Sequence, residues 1–305
     1  MGFPFWAIYS KNGKLVISPE PILYKGIKAL QEGKKLEGVE RIEGWESFTG
    51  VYYLTQEPLS RSPRSIVATY INLYPYIRKL LASTPIAKKY GYSETFFSFN
   101  SELSQCPACK GLGFEIVEMQ FLSDLVFPCE VCKGTRFKEE VLEVKWKGKN
   151  IAEILELTVN EALEFFGNHK PIKEILDILV KLGLGYLKLG QPLSTLSGGE
   201  AQRIKITEIL SRIKKENALI LLDEPTVGLH LEDINKLISA LKFLKEKGHT
   251  IVIVEHNPEI ILASDWIIEL GPEGGEKGGY LLFEGSLKDF LNEKNSNSLT
   301  AKYLK

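Results

Sequence analysis

A chain of 305 residues is long enough to bury a large core, and its length suggests about two domains. Its 38 basic and 39 acidic residues nearly cancel, so no global field announces a nucleic-acid or membrane partner and any such surface must be a local patch. No apolar run approaches the ~20 residues a membrane helix needs, and the opening MGFPFWAIYS lacks a basic leader and cleavage site, so a soluble cytoplasmic protein is expected.

The first fifty residues read as strands and one helix. In FWAIYSKNGKLVIS, apolar runs flank Asn12-Gly13, the strongest short hairpin signal, and a helix is expected in PILYKGIKALQEG. A strand follows in GVYYLTQEP, with Gln56 at its end, and then the basic, proline-bearing LSRSPRS. From about 66 to 105 the pattern is helical and then polar, and the cysteine segment covers about 106–137. In TVNEALEFF, Thr158 and Glu161 have the spacing of a capping box, in which hydroxyl and carboxylate satisfy orphan N–H groups at a helix start. PIKEILDILVKLG places proline at a helix start, Ile172, Ile175, Leu176 and Leu179 on one face, and Gly183 at the end.

LSGGEAQRIKI, residues 196–206, sets two adjacent glycines where the next helix begins. Ser197 and Glu200 form a second capping-box pair, and Ile206, Ile209, Leu210 and Ile213 recur at helical spacing. Capping does not require Gly198 and Gly199. Bare backbone at a helix N-terminus suits the close approach of an anion, so the stretch taken alone fits an ordinary cap or a phosphate contact equally well. The strand ALILL follows, then a helix aligning Ile234, Leu237, Ile238, Leu241 and Leu244 and stopped by Gly248, the strand TIVIVEH, and a strand-turn-helix in YLLFEGSLKDFL. Continuously apolar strands alternating with helices predict an α/β fold, a mostly parallel sheet with helices on both faces, interrupted by the cysteine segment.

ALILLDEPTVGLH, residues 218–230, is an apolar strand ending in two carboxylates. A strand whose polar end reaches solvent would look alike. The functional alternative is a Walker B element, with Asp223 holding magnesium, usually through water, and Glu224 polarising the water that attacks a γ-phosphate. TIVIVEHN delivers Glu255 and His256 to the C-terminal end of a buried strand, where open α/β sheets bind ligands, although a lone histidine there also serves structure. CPACKG and CEVCKG place Cys106, Cys109, Cys129 and Cys132 as C-x2-C-x19-C-x2-C, within the spacing of a four-thiolate zinc site and against a disulfide framework. The glycine after each second cysteine permits the turn that brings backbone N–H groups toward sulfur. Four thiolates leave no open position, so one structural zinc ion is expected. Lys110, Lys133, Arg136 and Lys138, with Phe137, form a modest basic and aromatic patch that is a solvated face or a DNA contact.

Gln56, then LSGGEAQR at 196–203, then Asp223-Glu224, then His256 is the order of an ABC-type ATPase, and the chain resembles that superfamily. The resemblance implies nucleotide contacts from Gln56, Ser197, Gly198, Gly199, Glu200 and Asp223, and catalytic roles for Glu224 and His256. It also implies that the glycine-rich helix start binds the γ-phosphate held by an opposing nucleotide domain. The phosphate-cradling string G-x-x-x-x-G-K-[ST] does not occur. In the nearest stretch, IYSKNGKL at 8–15, Ile8 replaces the first glycine and Leu15 the Ser or Thr. Pro19 and Pro21 lie where the following helix would run, and an interior proline costs about 3 kcal/mol. Binding of ATP with magnesium, and enzymatic activity itself, are therefore open on the sequence.

A zinc module between the glutamine loop and the glycine-rich helix resembles the C-terminal half of the UvrA family, the damage-sensing subunit of the bacterial excinuclease. The likeness runs from about Gln56 to Phe290, through RSPRSIVATY, FSFN, FPCEVCKGTRF, LGYLKLGQPLSTLSGGEAQR, LLDEPTVGLH, IVEHN and LGPEGG. It implies an ABC nucleotide-binding core begun over 1–75, an inserted signature and zinc module over 76–165, the remainder of the core over 166–290, and a polar tail over 291–305. It further implies a dimeric, ATP-dependent DNA-binding protein of nucleotide excision repair that passes DNA to UvrB, with Arg61, Arg64, Lys110, Lys133 and Arg136 as DNA-facing residues. The expected partner is a second copy of the chain in a homodimer, or a companion chain with an intact P-loop, which would then complete the ATP site. The run before the first cysteine, SELSQ, departs from the family's usual basic, glycine-rich stretch. Three rivals stand beside this reading: a degenerate, non-catalytic remnant, a transporter-type ABC subunit, which gives no reason for the zinc insertion, and a zinc-knuckle chaperone module of DnaJ type, which has four such units and no Walker B.

Overall fold

Apolar runs without polar alternation pair side by side in a parallel sheet; Leu219–Leu222 is covered on both faces, whereas Thr250–Val254, expected to be buried, is half-buried throughout. The computed structural model describes residues 23–34, 42–54, 59, 62–117, 125–167, 169–213, 217–271, 280–292 and 298–304. The expected hairpin at Asn12-Gly13, the 8–15 stretch, Gln56, Arg61 and LGPEGG beyond Gly271 lie outside the described residues. In chain order the strands are β1 (Val51–Leu54), β2 (Phe114–Val117), β3 (Leu125–Pro128), β4 (Leu219–Asp223), β5 (Thr250–Val254), β6 (Trp266–Gly271) and β7 (Tyr280–Ser286). The chain divides into two units, one formed by Met1–Glu57 with Ile213–Lys305 and the other by Pro58–Arg212.

The first unit is built on β1, β4 and β5, parallel and in that order, with Val51 opposite Leu219 and Leu222 opposite Ile253. β4 is its centre: Leu219, Ile220, Leu221 and Leu222 are all buried. The following helix, Leu231–Glu246, buries Ile234, Leu237, Leu241 and Leu244, and Gly248 at φ 82° ends it. Leu23, Ile27, Ile42, Phe48 and Val51 pack with Leu219 and Leu221 into one core cluster. β6 and β7 form a separate antiparallel pair. No turn separates β7 from the helix Leu287–Leu291. Ser286 ends the strand and caps the helix, its hydroxyl accepting from the Asp289 N–H at 3.2 Å.

The second unit is mainly helical. Thr158 and Glu161 form the expected capping box: the Glu161 N–H donates to Thr158 Oγ1 at 3.2 Å, and the Thr158 N–H donates to Glu161 Oε2 at 2.8 Å. In the helix Lys170–Lys181, Ile172, Ile175, Leu176 and Leu179 are buried, and Gly183 follows at φ 72°. The helix Gly198–Arg212 packs against it. Residues 65–68 are stitched to 189–193 by backbone bonds such as Val67 N–H to Gln191 O at 3.0 Å and Leu193 N–H to Ser65 O at 2.9 Å. These pairings explain why the observed boundaries fall at 57/58 and 212/213, placing the glycine-rich helix with the cysteine segment. The helix Gly198–Arg212 also differs from a simple amphipathic pattern. Arg203, Lys205, Thr207 and Glu208 are buried along with Ile206, Ile209 and Leu210.

Leu176 has no exposed surface, so Leu176→Ala is expected to lower the stability of its unit by about 2–5 kcal/mol. Urea unfolding checks this as a lower midpoint at unchanged slope.

Candidate nucleotide and metal sites

The C-terminal ends of β4 and β5 bring Asp223, Glu224, Glu255 and His256 together. Parallel register sets Asp223 opposite Val254, so the residues that follow each strand emerge side by side. Tyr53, on β1, donates its hydroxyl to Asp223 Oδ2 at 3.2 Å and orients that carboxylate. Glu224 sits at φ 42°, a left-handed conformation that costs a non-glycine residue on the order of 1–3 kcal/mol and is concentrated at functional sites. Its N–H is held by Val254 O at 2.9 Å, and its Oε1 lies 3.9 Å from Nδ1 of the exposed His256. An acid that can hold a cation, an acid beside it and an imidazole facing that acid are the groups needed to position a metal-bound phosphate and an attacking water.

In the other unit the doubled glycine opens the helix Gly198–Arg212 through the expected reciprocal cap. The Ser197 N–H donates to Glu200 Oε2 at 2.7 Å, and the Glu200 N–H donates to Ser197 Oγ at 3.3 Å. The N–H groups of Gly198 and Gly199 meet no acceptor among the described residues, which leaves two donors at the positive end of a helix dipole. Tyr186, missed in the sequence, donates its hydroxyl in a short hydrogen bond to Glu200 Oε1. Burial opposes ionisation of Glu200, but the hydrogen bonds from Tyr186 and Ser197 outweigh it and hold its carboxyl below the ordinary value. Burial, and then the Glu200 bond, push the Tyr186 phenol up to about 12.

Cys106, Cys109, Cys129 and Cys132 are buried, form no disulfide, and have sulfurs all within 4.8 Å of one another. Cys109 and Cys132 stand 3.7 Å apart, and Cys106 and Cys129 4.0 Å. Four sulfurs at about 2.3 Å from a tetrahedral zinc ion stand about 3.8 Å apart, so these sulfurs are close to ligand spacing. Each knuckle repeats one turn: Lys110 and Gly111 at φ 50° and 81°, Lys133 and Gly134 at φ 51° and 90°. A Cβ on Gly111 would meet Phe99 O at 1.9 Å, so only glycine fits there. The turn aims the Gly113 N–H at Cys109 Sγ, 3.2 Å away. Burial raises the thiols of Cys109 and Cys132, the latter to about 12. At Cys106 burial acts the same way but is outweighed by the N–H groups of Cys109 and Ala108, which lower it. Four free, buried sulfurs near ligand spacing, with backbone donors aimed at them, fit a thiolate-bound structural zinc.

The basic residues named from the sequence are dispersed in role. Lys110 and Lys133 are exposed. Arg64 is half-buried and donates to Asn100 Oδ1 at 3.1 Å. Arg136 is buried, donating to Gly190 O at 3.3 Å with its guanidinium 5.3 Å from the Phe99 ring, so it serves the interior. Lys138 is tied to the carbonyls of Glu102 and Leu103.

The UvrABC system protein A of Aquifex aeolicus is 50% identical over 286 residues, 93% of this chain and 31% of the relative. The crystal structure of UvrA2 from Deinococcus radiodurans superposes with a TM-score of 0.78 at 43% identity, covering 91% of this chain and 34% of that one. The chain is related to UvrA. The UvrABC system protein A of Clostridium perfringens agrees, at 47% identity over 298 residues, 97% of this chain and 31% of the relative. The chain thus spans about a third of the length of the UvrA relatives it matches. No protein-family model matches it. Its fold is the α/β, ABC-type nucleotide-binding domain, and it carries a four-cysteine module. No described helix is long and apolar enough to cross a membrane.

Elemental analysis is expected to give one zinc per chain, lost in Cys132→Ala and reduced in Gly111→Ala. Zinc is expected to leave as the pH falls, since the thiolates must take up protons to release it. The cap makes a separate prediction. Because the Glu200 carboxyl lies below its ordinary value when folded, the folded state binds fewer protons there than the unfolded one. Its contribution is present above the unfolded carboxylate pKa and lost as pH falls through the folded one. Glu200→Ala should therefore destabilise by about 1 kcal/mol at pH 7, with the gap to wild type closing on acidification in paired melting curves.

Proposed function

We propose that this chain is the UvrA-type nucleotide-binding part of a DNA-damage recognition protein in nucleotide excision repair. The observation that carries the reading is its 50% identity with the Aquifex aeolicus UvrA across 93% of its length. In this reading Asp223 is the residue that would hold magnesium, and the ion would offset phosphate charge. Glu224 orients and polarises the attacking water, with His256 beside it to face the γ-phosphate. Ser197, Gly198 and Gly199 supply a hydroxyl and two backbone donors to a γ-phosphate held by an opposing chain. Gln56 belongs to the same nucleotide site by its place in the motif order.

The four cysteines hold one structural zinc that folds the module rather than reacting. Arg61, Arg64, Lys110 and Lys133 are the residues proposed to face DNA phosphates, and a UvrB-like protein is the proposed recipient of the DNA, in the cytoplasm. The sequence contains no G-x-x-x-x-G-K-[ST], and a second copy of the chain lacks it equally, so the ATP site is proposed to be completed by a companion chain that carries one.

ATP hydrolysis with magnesium tests this directly. The isolated chain should turn over little ATP, and a companion with an intact P-loop should restore it. Gly198→Asp, which sets a negative charge at the exposed helix start, should then remove the restored activity while leaving the melting temperature nearly unchanged. Robust turnover by the chain alone, abolished by Glu224→Gln, would contradict completion by a second chain. A duplex with a bulky adduct should bind more tightly than an undamaged one, and equal binding would contradict damage recognition.

A further inference from the structure

Glu255 follows β5 directly, and its carboxylate is turned away from the solvent-facing acids into the backbone. Oε1 accepts the Thr226 N–H at 2.8 Å and, in a short hydrogen bond, the Thr226 hydroxyl. Oε2 accepts the His256 N–H at 2.9 Å and the Asn257 N–H at 3.0 Å. A carboxylate has about four lone-pair sites, so these four donors saturate it. No capacity is left for a cation or a phosphate-bound water, and Glu255 is therefore not a further metal ligand beside Asp223.

The donors belong to two different loops. Thr226 is buried, within the turn closed by the Val227 N–H to Glu224 O at 3.2 Å, so it fixes the turn that holds Glu224 at φ 42°. His256 and Asn257 form the loop after β5, and Asn257 goes on to cap the helix Pro258–Ala263 by accepting the Glu259 N–H at 3.0 Å. Beyond the sheet pairing, the carboxylate of Glu255 joins these loops on the inner side, while Glu224 and His256 face each other at 3.9 Å on the outer side.

We propose that Glu255 is a positioning residue: its carboxylate staples the Glu224 turn to the His256 loop and so sets the approach of those two side chains. The proposal deepens the functional reading above and rests on it for its catalytic meaning, while the staple itself is measurable without hydrolysis. Charge-assisted hydrogen bonds to backbone N–H groups are about twice as strong as neutral ones and geometrically restrictive, which suits a residue that must hold two turns in register. Glutamine would offer one acceptor oxygen and turn an NH2 group toward N–H donors, so one loop would be released. Aspartate is a methylene too short to reach both.

Nuclear magnetic resonance on the whole chain tests this. In Glu255→Gln, exchange of the amides of Thr226, or of His256 and Asn257, should accelerate by roughly tenfold or more, with β4 and β5 amides unchanged. Thr226→Val, which removes only the hydroxyl, should accelerate the His256 and Asn257 amides from the opposite side, and Thr226→Ser should not. The decisive readout is the imidazole resonance of His256. Glu224→Gln should shift it in the wild-type background and leave it nearly still in the Glu255→Gln background. An equal shift in both backgrounds, or unchanged exchange in both loops, would overturn the staple. Failure of the functional reading shows separately, as absent turnover with a P-loop companion.

Discussion

The parallel pairing of β4 between β1 and β5 is the constraint on which the first unit depends. A strand flanked on both edges and covered on both faces can place no polar side chain along Leu219–Leu222 without burying it unsatisfied. Polar chemistry is thereby forced to the strand ends. Because neighbouring strands run the same way, the ends of β4 and β5 coincide, and Asp223, Glu224, Glu255 and His256 are gathered by sheet geometry before any side-chain contact is made. The hydrogen bond from Tyr53 on β1 extends the same logic, since it emerges at the third strand end.

The second unit solves a different problem. Its helices are short, several of four to nine residues, and helices of that length are not stable by themselves. Stability has to come from contacts between segments distant in sequence: the stitching of 65–68 to 189–193, the packing of Gly198–Arg212 on Lys170–Lys181, and the cysteine cluster. Four cysteines bury little apolar surface, so a metal held by them would supply at the knuckles what hydrophobic packing supplies elsewhere. Arg136 ties the knuckle to the rest of the unit, which is why its guanidinium is buried against Phe99 and Gly190 instead of facing solvent.

Much of this was legible in the sequence where one physical rule acts over a short span. Helix faces such as Ile172, Ile175, Leu176 and Leu179, the caps at Thr158 and Ser197, the β4 strand and the cysteine spacing depend on periodicity or on fixed offsets of three, and all are observed. What was not legible depends on long-range pairing. Tyr186 reaches Glu200 across 14 residues, Tyr53 reaches Asp223 across 170, and Glu255 reaches Thr226 across 29. No local rule links such positions. The buried charged residues of Gly198–Arg212 failed to show for the same reason, because burial of Arg203 or Glu208 is decided by the surroundings of the helix and not by its period.

Glu200 and Glu255 reveal a shared solution to an electrostatic difficulty. Each loop needs a strong acceptor to fix its backbone, and a carboxylate supplies it together with a charge that must be answered locally. In each case the carboxylate is engaged by neighbouring donors, Ser197 and Tyr186 in one unit and Thr226, His256 and Asn257 in the other. Its charge is answered by N–H and O–H dipoles, and its geometry holds the neighbouring groups in place. Beside these carboxylates stand the N–H donors of Gly198 and Gly199 in one unit and, in the other, the acid–imidazole pair of Glu224 and His256 next to Asp223. Each glutamate thus fixes the backbone of its own loop one residue away from a position proposed to be functional, Gly199 in one unit and His256 in the other.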